Sequence, residues 1–129
     1  MTDPEHLKYT PEHTWLKAGP DGTFDVGITF HAQDALGDVV FVEPPALGRK
    51  VRQGEQIAVV ESVKAASDIP APVAGEIVAV NAELADAPEK INADPYGAWM
   101  FRIRPDDAGD VDGLLDAAAY ERVAEADRS

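Results

Sequence analysis

Punctuation limits what this chain can become more than any other feature. Glycine and proline, ten of each, recur so often that most of the chain has room only for short elements. What lies between them is rich in β-branched residues: TWLKA at 14–18, TFDVGIT at 23–29, DVVFVE at 38–43, IAVVES at 57–62 and the region SDIPAPVAGEIVAVN at 67–81. Short strands at close spacing, with turn signals between them, read as a small β-sandwich or barrel. GPDG makes the first two runs a hairpin. Pro44 and Pro45 supply no backbone donor and stop the third. Farther on, Val73, Ile77 and Val80 provide the apolar side chains of a strand region in which Gly75 permits a bend or bulge. WMFRIR at 99–104 is the last strand, with Trp99, Phe101 and Ile103 on one face.

Helical signals sit at the margins. HAQDALG at 31–37 fits a short helix ended by Gly37. In VDGLLDAAAYERVAEADRS, Leu114, Leu115, Ala118, Ala119 and Val123 have helical spacing, which predicts a helix over about 111–126 packed on the sheet. The expectation is a mainly β fold with short flanking helices and a C-terminal helix. A length of 129 residues suits one domain over 1–129, its core spanning about 7–104. Two Val-rich segments either side of residues 62–66 resemble each other loosely, a hint of an internal two-fold arrangement about a hairpin.

The formal charge of -13 repels phosphate backbones and argues against nucleic acid as a partner. It suits basic partner surfaces or a cell with high internal salt. There is no cysteine, so disulfides, zinc fingers and thiol catalysis by the protein are excluded. MTDPEHLKYT has no apolar stretch of the kind a signal peptide needs, and no run approaches the ~18 residues of a membrane span. A cytoplasmic protein without a membrane partner is therefore expected. His6, His13 and His31 match no compact ligand spacing, so no metal is expected. Ser62 and Ser67 lack a nucleophile elbow and read as turn residues, while Trp15 and Trp99 read as packing. No phosphate-cradling loop and no catalytic set appears, and the expectation is a protein that is not an enzyme.

One segment asks for a function. ESVKAASD, residues 61–68, presents a single cation among small residues between two strand-like runs. Nothing bulky adjoins Lys64. Most exposed lysines are solvated surface charges; a projecting one can also be acylated, which turns a flexible cation into a long neutral arm. VESVKAASDIPAPVAGEIVAVN resembles the lipoylation segment of the glycine cleavage H protein family. LKYTPEHTWL, VGITFHAQDALGDVVFVEPPALG, INADPYGAW and LLDAAAYERV follow in the family's order, so the resemblance spans roughly residues 7–123.

The resemblance implies a barrel-sandwich hybrid with lipoate attached to Lys64 on a hairpin. It further implies a non-catalytic carrier that works as a monomer. A lipoate ligase or lipoyltransferase would modify it, and glycine decarboxylase, aminomethyltransferase and dihydrolipoyl dehydrogenase would use it. Tethering keeps the cofactor concentrated near each docked enzyme without tight binding. Around the lysine it points to Glu61, Ser67 and Asp68 as cofactor-binding residues. Glu12, His13, Thr14, Phe30 and His31 are its candidates for an arm-docking cleft, where acidic or polar groups stabilise a cationic methylamine cargo. Biotin carriers, by contrast, place the lysine between methionines; here its neighbours are Val63 and Ala65.

The chain departs from the family's pattern at four places. Thr14 and Phe30 stand where carboxylates are usual, Pro70 where tyrosine is common, and PYGAW is one residue short. These departures raise an alternative: an H-like lipoate-binding protein serving another pathway, such as sulfur oxidation with heterodisulfide-reductase-like partners, or a lipoyl relay. A third reading, from another class, is an interaction module whose Lys64 never carries a cofactor.

Overall fold

The computed structural model describes residues 7–19, 22–107 and 109–128, with side chains as far as Glu125. Strands come first and recur throughout: β1 (Lys8–Tyr9), β2 (Thr14–Ala18), β3 (Phe24–Ile28), helix α1 (Phe30–Leu36), β4 (Val39–Glu43), β5 (Lys50–Val51), β6 (Gln56–Ser62), β7 (Ala66–Pro70) and β8 (Gly75–Val80). Two single-turn helices follow, α2 (Glu83–Asp86) and α3 (Lys90–Ala93), then β9 (Phe101–Pro105), α4 (Gly109–Asp112) and α5 (Ala117–Arg128).

The strands form two antiparallel sheets. One has the order β1-β2-β3-β9-β8-β5 and the other β4-β6-β7. Alternate residues of each strand face inward. Val26 and Ile28 of β3 and Ile77, Phe101 and Ile103 of the larger sheet meet Val39, Val42, Val60 and Ile69 of the smaller one in a single buried cluster. This layered, barrel-sandwich arrangement is the fold class expected. A second cluster, Leu7, Tyr9, Trp15, Tyr120 and Ala124, lies between β1, β2 and α5.

β2 and β3 pair as predicted, Thr14 with Ile28 through Ala18 with Phe24; Pro20 and Asp21 of their GPDG turn lie outside the described residues, as does His6. Gly27 sits beneath the Trp15 indole, where a Cβ would stand 2.6 Å from the ring. β4 ends at Glu43, before the two prolines. No helix among the described residues is long and apolar enough to cross a membrane.

Several expectations need correction. Gly75 is not a bulge; it opens β8, pressed so close to Arg104 that a Cβ would overlap that residue's carbonyl oxygen. The register shift falls between Ile77 and Ala79. Val73 is buried but lies in the bend before β8, and Trp99 precedes β9, half-buried, with the Arg102 guanidinium 5.1 Å from its ring. Ser67 belongs to β7, not to a turn.

The C-terminal helix is two helices. Between them Leu115 exchanges backbone hydrogen bonds with Tyr9, at 2.8 and 2.9 Å, which supplies partners to β1 at the edge of its sheet. Asp116 then caps α5 by accepting from the Ala119 amide at 2.8 Å. α2 and α3, four residues each, are too short to leave a periodic signal in the sequence.

Candidate functional site

Lys64 is exposed at the tip of the β6–β7 hairpin. The turn is built almost entirely by Ser62. Its amide donates to the Ala65 carbonyl at 2.7 Å. The hydroxyl donates to the same carbonyl at 3.1 Å and accepts from the amides of Lys64 and Ala65, at 3.2 and 3.1 Å. Ser62 thereby occupies the polar groups that a short turn leaves without strand partners. Among the described residues, a backbone bond ties the tip to the rest of the protein: the Val63 amide donates to the Asp38 carbonyl at 3.0 Å.

Under the lysine lies Gly37. Its φ of +80° ends α1 in a conformation that side chains disfavour, and a Cβ there would stand 3.0 Å from Lys64 Cε. The stem of Lys64 thus rests on bare backbone. That backbone is held by Asn92 of α3. Its amide nitrogen donates to the Gly37 carbonyl at 2.8 Å and to Gln33 Oε1 at 3.0 Å, while its oxygen accepts from the Val39 amide at 2.8 Å. Three bonds from one half-buried side chain lock the loop that carries the lysine's platform.

α1 links this turn to a cleft of about 250 Å³. Glu12, His13, His31 and Ser67 line it together with Ile28, Ala32, Ala35, Leu36 and Ile69. The lining therefore combines apolar side chains with a carboxylate, two imidazoles and a hydroxyl. Such a slot accepts an acyl chain along its apolar lining and a cation near its carboxylate.

His13 occupies the left-handed region at φ +67°, alone among the described non-glycine residues. The backbone holds it there: its amide donates to the Thr10 carbonyl at 3.1 Å and its carbonyl accepts from the Thr29 amide at 3.0 Å. Conformational strain of this kind persists where the surroundings overdetermine it. The His13 ring lies over that of His31, with centroids 4.4 Å apart, and its Nδ1 is 2.7 Å from the Tyr120 hydroxyl.

The structure thus gathers four of the expected residues, Glu12, His13, His31 and Ser67, around one cavity. It separates the others. Thr14 is fully buried, its hydroxyl paired with that of Thr10. Phe30 is 52% exposed at the start of α1 and is not among the cleft residues. Its amide donates to the Tyr96 hydroxyl at 3.3 Å. Burial pushes the Tyr96 phenol above its ordinary value, against the opposing pull of that amide.

Glu61 and Asp68 are exposed and stand opposite Ala66 and Val59. Strand alternation explains the division: Ser67 and Ile69 point into the cleft, so Ala66 and Asp68 point away from it. Gly37, Asn92 and Tyr120 were not among the expected site residues, although all three lie in quoted segments. Their roles are to position others, across separations that no local pattern reveals. Among the described residues no three His, Asp or Glu side chains gather as they would around a metal ion.

A family model described as glycine cleavage H-protein matches residues 7–127. The glycine cleavage system H protein of Thiobacillus denitrificans is 58% identical over 127 residues, covering 98% of this chain and 98% of its own. That of Azoarcus sp. is 60% identical over 119 residues, covering 92% and 94%. The crystal structure of a glycine cleavage system H protein from Mycobacterium marinum superposes with a TM-score of 0.83 at 43% identity, covering 93% of this chain and 97% of that one.

Proposed function

Because the chain belongs to the glycine cleavage H-protein family, we propose that it is the lipoyl carrier of glycine cleavage, with Lys64 as the attachment point. The observation that carries this reading is one exposed lysine, held at the tip of a hairpin inside a full-length family match. The residues present fit the group. Small neighbours and a Cβ-free glycine leave the amine open to acylation, and the cleft along α1 has an apolar lining for the arm.

Lys64 would hold the lipoyl group, which when bound would supply a dithiolane able to carry a one-carbon amine between enzymes. The chain's own part is to hold and to shield. Ser62 and the Val63–Asp38 bond fix the root of the arm. Glu12 offers a carboxylate to a cationic cargo, Ser67 a hydroxyl, and Ile28, Leu36 and Ile69 reduce the room for water along the lining. Glu61 and Asp68, on the outer face, belong to the surface that meets the lipoate-attaching enzyme.

The whole chain serves as one carrier domain and works as a monomer. Its partners are a lipoate ligase or lipoyltransferase, then glycine decarboxylase, aminomethyltransferase and dihydrolipoyl dehydrogenase. Its acidity suits basic docking faces on them. The four departures from the family's pattern do not redirect it to sulfur oxidation. The relatives above carry the glycine cleavage name at 58% and 60% identity. Thr14 is sealed against Thr10, so in this chain the cleft's carboxylate comes from Glu12.

The test is direct. Incubation with a competent lipoate ligase should add one lipoyl mass to the wild type and none to Lys64→Arg. The modified protein should then support glycine–bicarbonate exchange with glycine decarboxylase. Modification of the arginine variant would displace the site; exchange failing with a fully modified, folded sample would reject the pathway.

A further inference from the structure

We propose that Tyr120 of the C-terminal helix is a positioning residue for the arm-docking cleft, its one hydroxyl tying the two walls together although no described residue of α5 lines the cavity. The proposal rests on the reading that the cleft receives the arm.

The walls come from distant parts of the chain. One is the loop carrying Glu12 and His13; the other is α1, with His31, Ala32, Ala35 and Leu36. The Tyr120 hydroxyl lies 2.7 Å from His13 Nδ1 on the first and 2.6 Å from Thr29 Oγ1 on the second. A phenol has one proton to give and lone pairs to receive another, so both bonds form at once. Thr29 is the N-cap of α1, its hydroxyl accepting from the Ala32 amide at 3.2 Å. The chain of contacts therefore runs from the imidazole of one wall through the phenol to the first turn of the other.

The phenol itself is anchored. Tyr120 is 6% exposed, and its ring stacks on Tyr9 with centroids 4.7 Å apart and planes 12° from parallel. Tyr9 in turn exchanges backbone bonds with Leu115 just before α5. Swinging either wall outward leaves a polar atom without its partner in a buried setting, which folded proteins resist strongly. The His13 imidazole also meets Tyr120 edge-on, its centroid 5.5 Å away, and the same imidazole lies over His31. Tyr120 thereby fixes the orientation of both imidazoles. This gives the break in the C-terminal helix a purpose: it docks α5 on β1, where Tyr120 can reach the back of the cleft.

The test compares wild type, Tyr120→Phe and Ala35→Trp, the last of which fills the cleft from an exposed position on α1. Each is lipoylated, loaded with methylamine by glycine decarboxylase and freed of the enzyme. Loss of the loaded mass is then followed on standing. Lipoylation at Lys64 serves as the control for folding and should be unchanged. Tyr120→Phe should shed its cargo about tenfold faster than wild type, as loss of a net hydrogen bond implies.

A second readout needs no cargo. In the unmodified wild type, long-range ¹⁵N–¹H spectra should show His13 Nδ1 hydrogen-bonded, and Tyr120→Phe should shift that resonance and also those of His31. Unchanged imidazole spectra, or a wild-type Nδ1 without the bond, would overturn the proposal even if the variant folds poorly. If Ala35→Trp sheds cargo quickly and Tyr120→Phe does not, the positioning role alone falls. If neither differs from wild type, the cleft is not the arm's resting place and both readings fall.

Discussion

The lysine turn and the cleft beside it are built in opposite ways. The turn is local: Ser62 closes it with bonds to residues two and three positions on, and a backbone bond from Val63 to Asp38 joins it to the body. The cleft is global, its lining drawn from residues 12–13, 28–36 and 67–69, with Tyr120 behind it. The attachment point we propose at Lys64 must be presented, which a short hairpin does by itself. The shielding slot we propose must be enclosed, which requires walls from several elements. Asn92 and Gly37 stand where the two constructions meet, under the lysine and at the end of the helix that lines the slot.

That contrast can be broken by substitution. Asn92→Ala should have the largest effect, removing three hydrogen bonds and destabilising the protein by about 3 kcal/mol, roughly one per bond, in urea unfolding. It should also slow lipoylation, because the Gly37–Val39 loop then loses its clamp; an unaffected rate would mean that the turn needs no platform. Gly37→Ala comes next, at about 2 kcal/mol for forcing a side chain into its backbone conformation. It should displace the Lys64 stem as well, visible as altered shifts and contacts of the Lys64 side-chain methylenes beside residue 37. Ser62→Ala should cost only about 1 kcal/mol and slow lipoylation while leaving the His13 and His31 spectra as they are. Perturbed imidazoles in that variant would show that turn and cleft are one unit.

The smallest effect concerns Tyr96. Burial raises its phenol's pKa, so above about pH 10, where an unfolded tyrosine ionises, the unfolded chain holds fewer protons than the folded one. Stability contributed by the neutral phenol is full below that pH and falls as pH rises through it. Tyr96→Phe should therefore flatten the alkaline limb of a stability–pH curve slightly, by less than about 1 kcal/mol. A variant curve parallel to wild type would exclude this contribution.

Legibility in the sequence followed the same division. Strands β2, β3, β4 and β6 were readable from β-branched runs and the turn residues around them, and α1 from Gly37 at its end. The exposed hairpin position of Lys64 was readable because the turn is short and its neighbours small. The break before α5 was hidden: Leu114 and Leu115 keep helical spacing, but Leu115 gives its backbone to Tyr9, more than a hundred positions earlier. Thr14 and Asp68 looked equivalent to the cleft residues, yet burial of one and strand alternation at the other turned both away from it.

Turn chemistry and strand period act over a few residues, so residue order alone specifies a mainly β chain with an acylable lysine between two strands. Which polar groups share a cavity depends on long-range packing. Glu12, His13, His31 and Ser67 converge, with Tyr120 bonded to His13 behind them, through sheet pairing and burial that act between segments far apart in the chain.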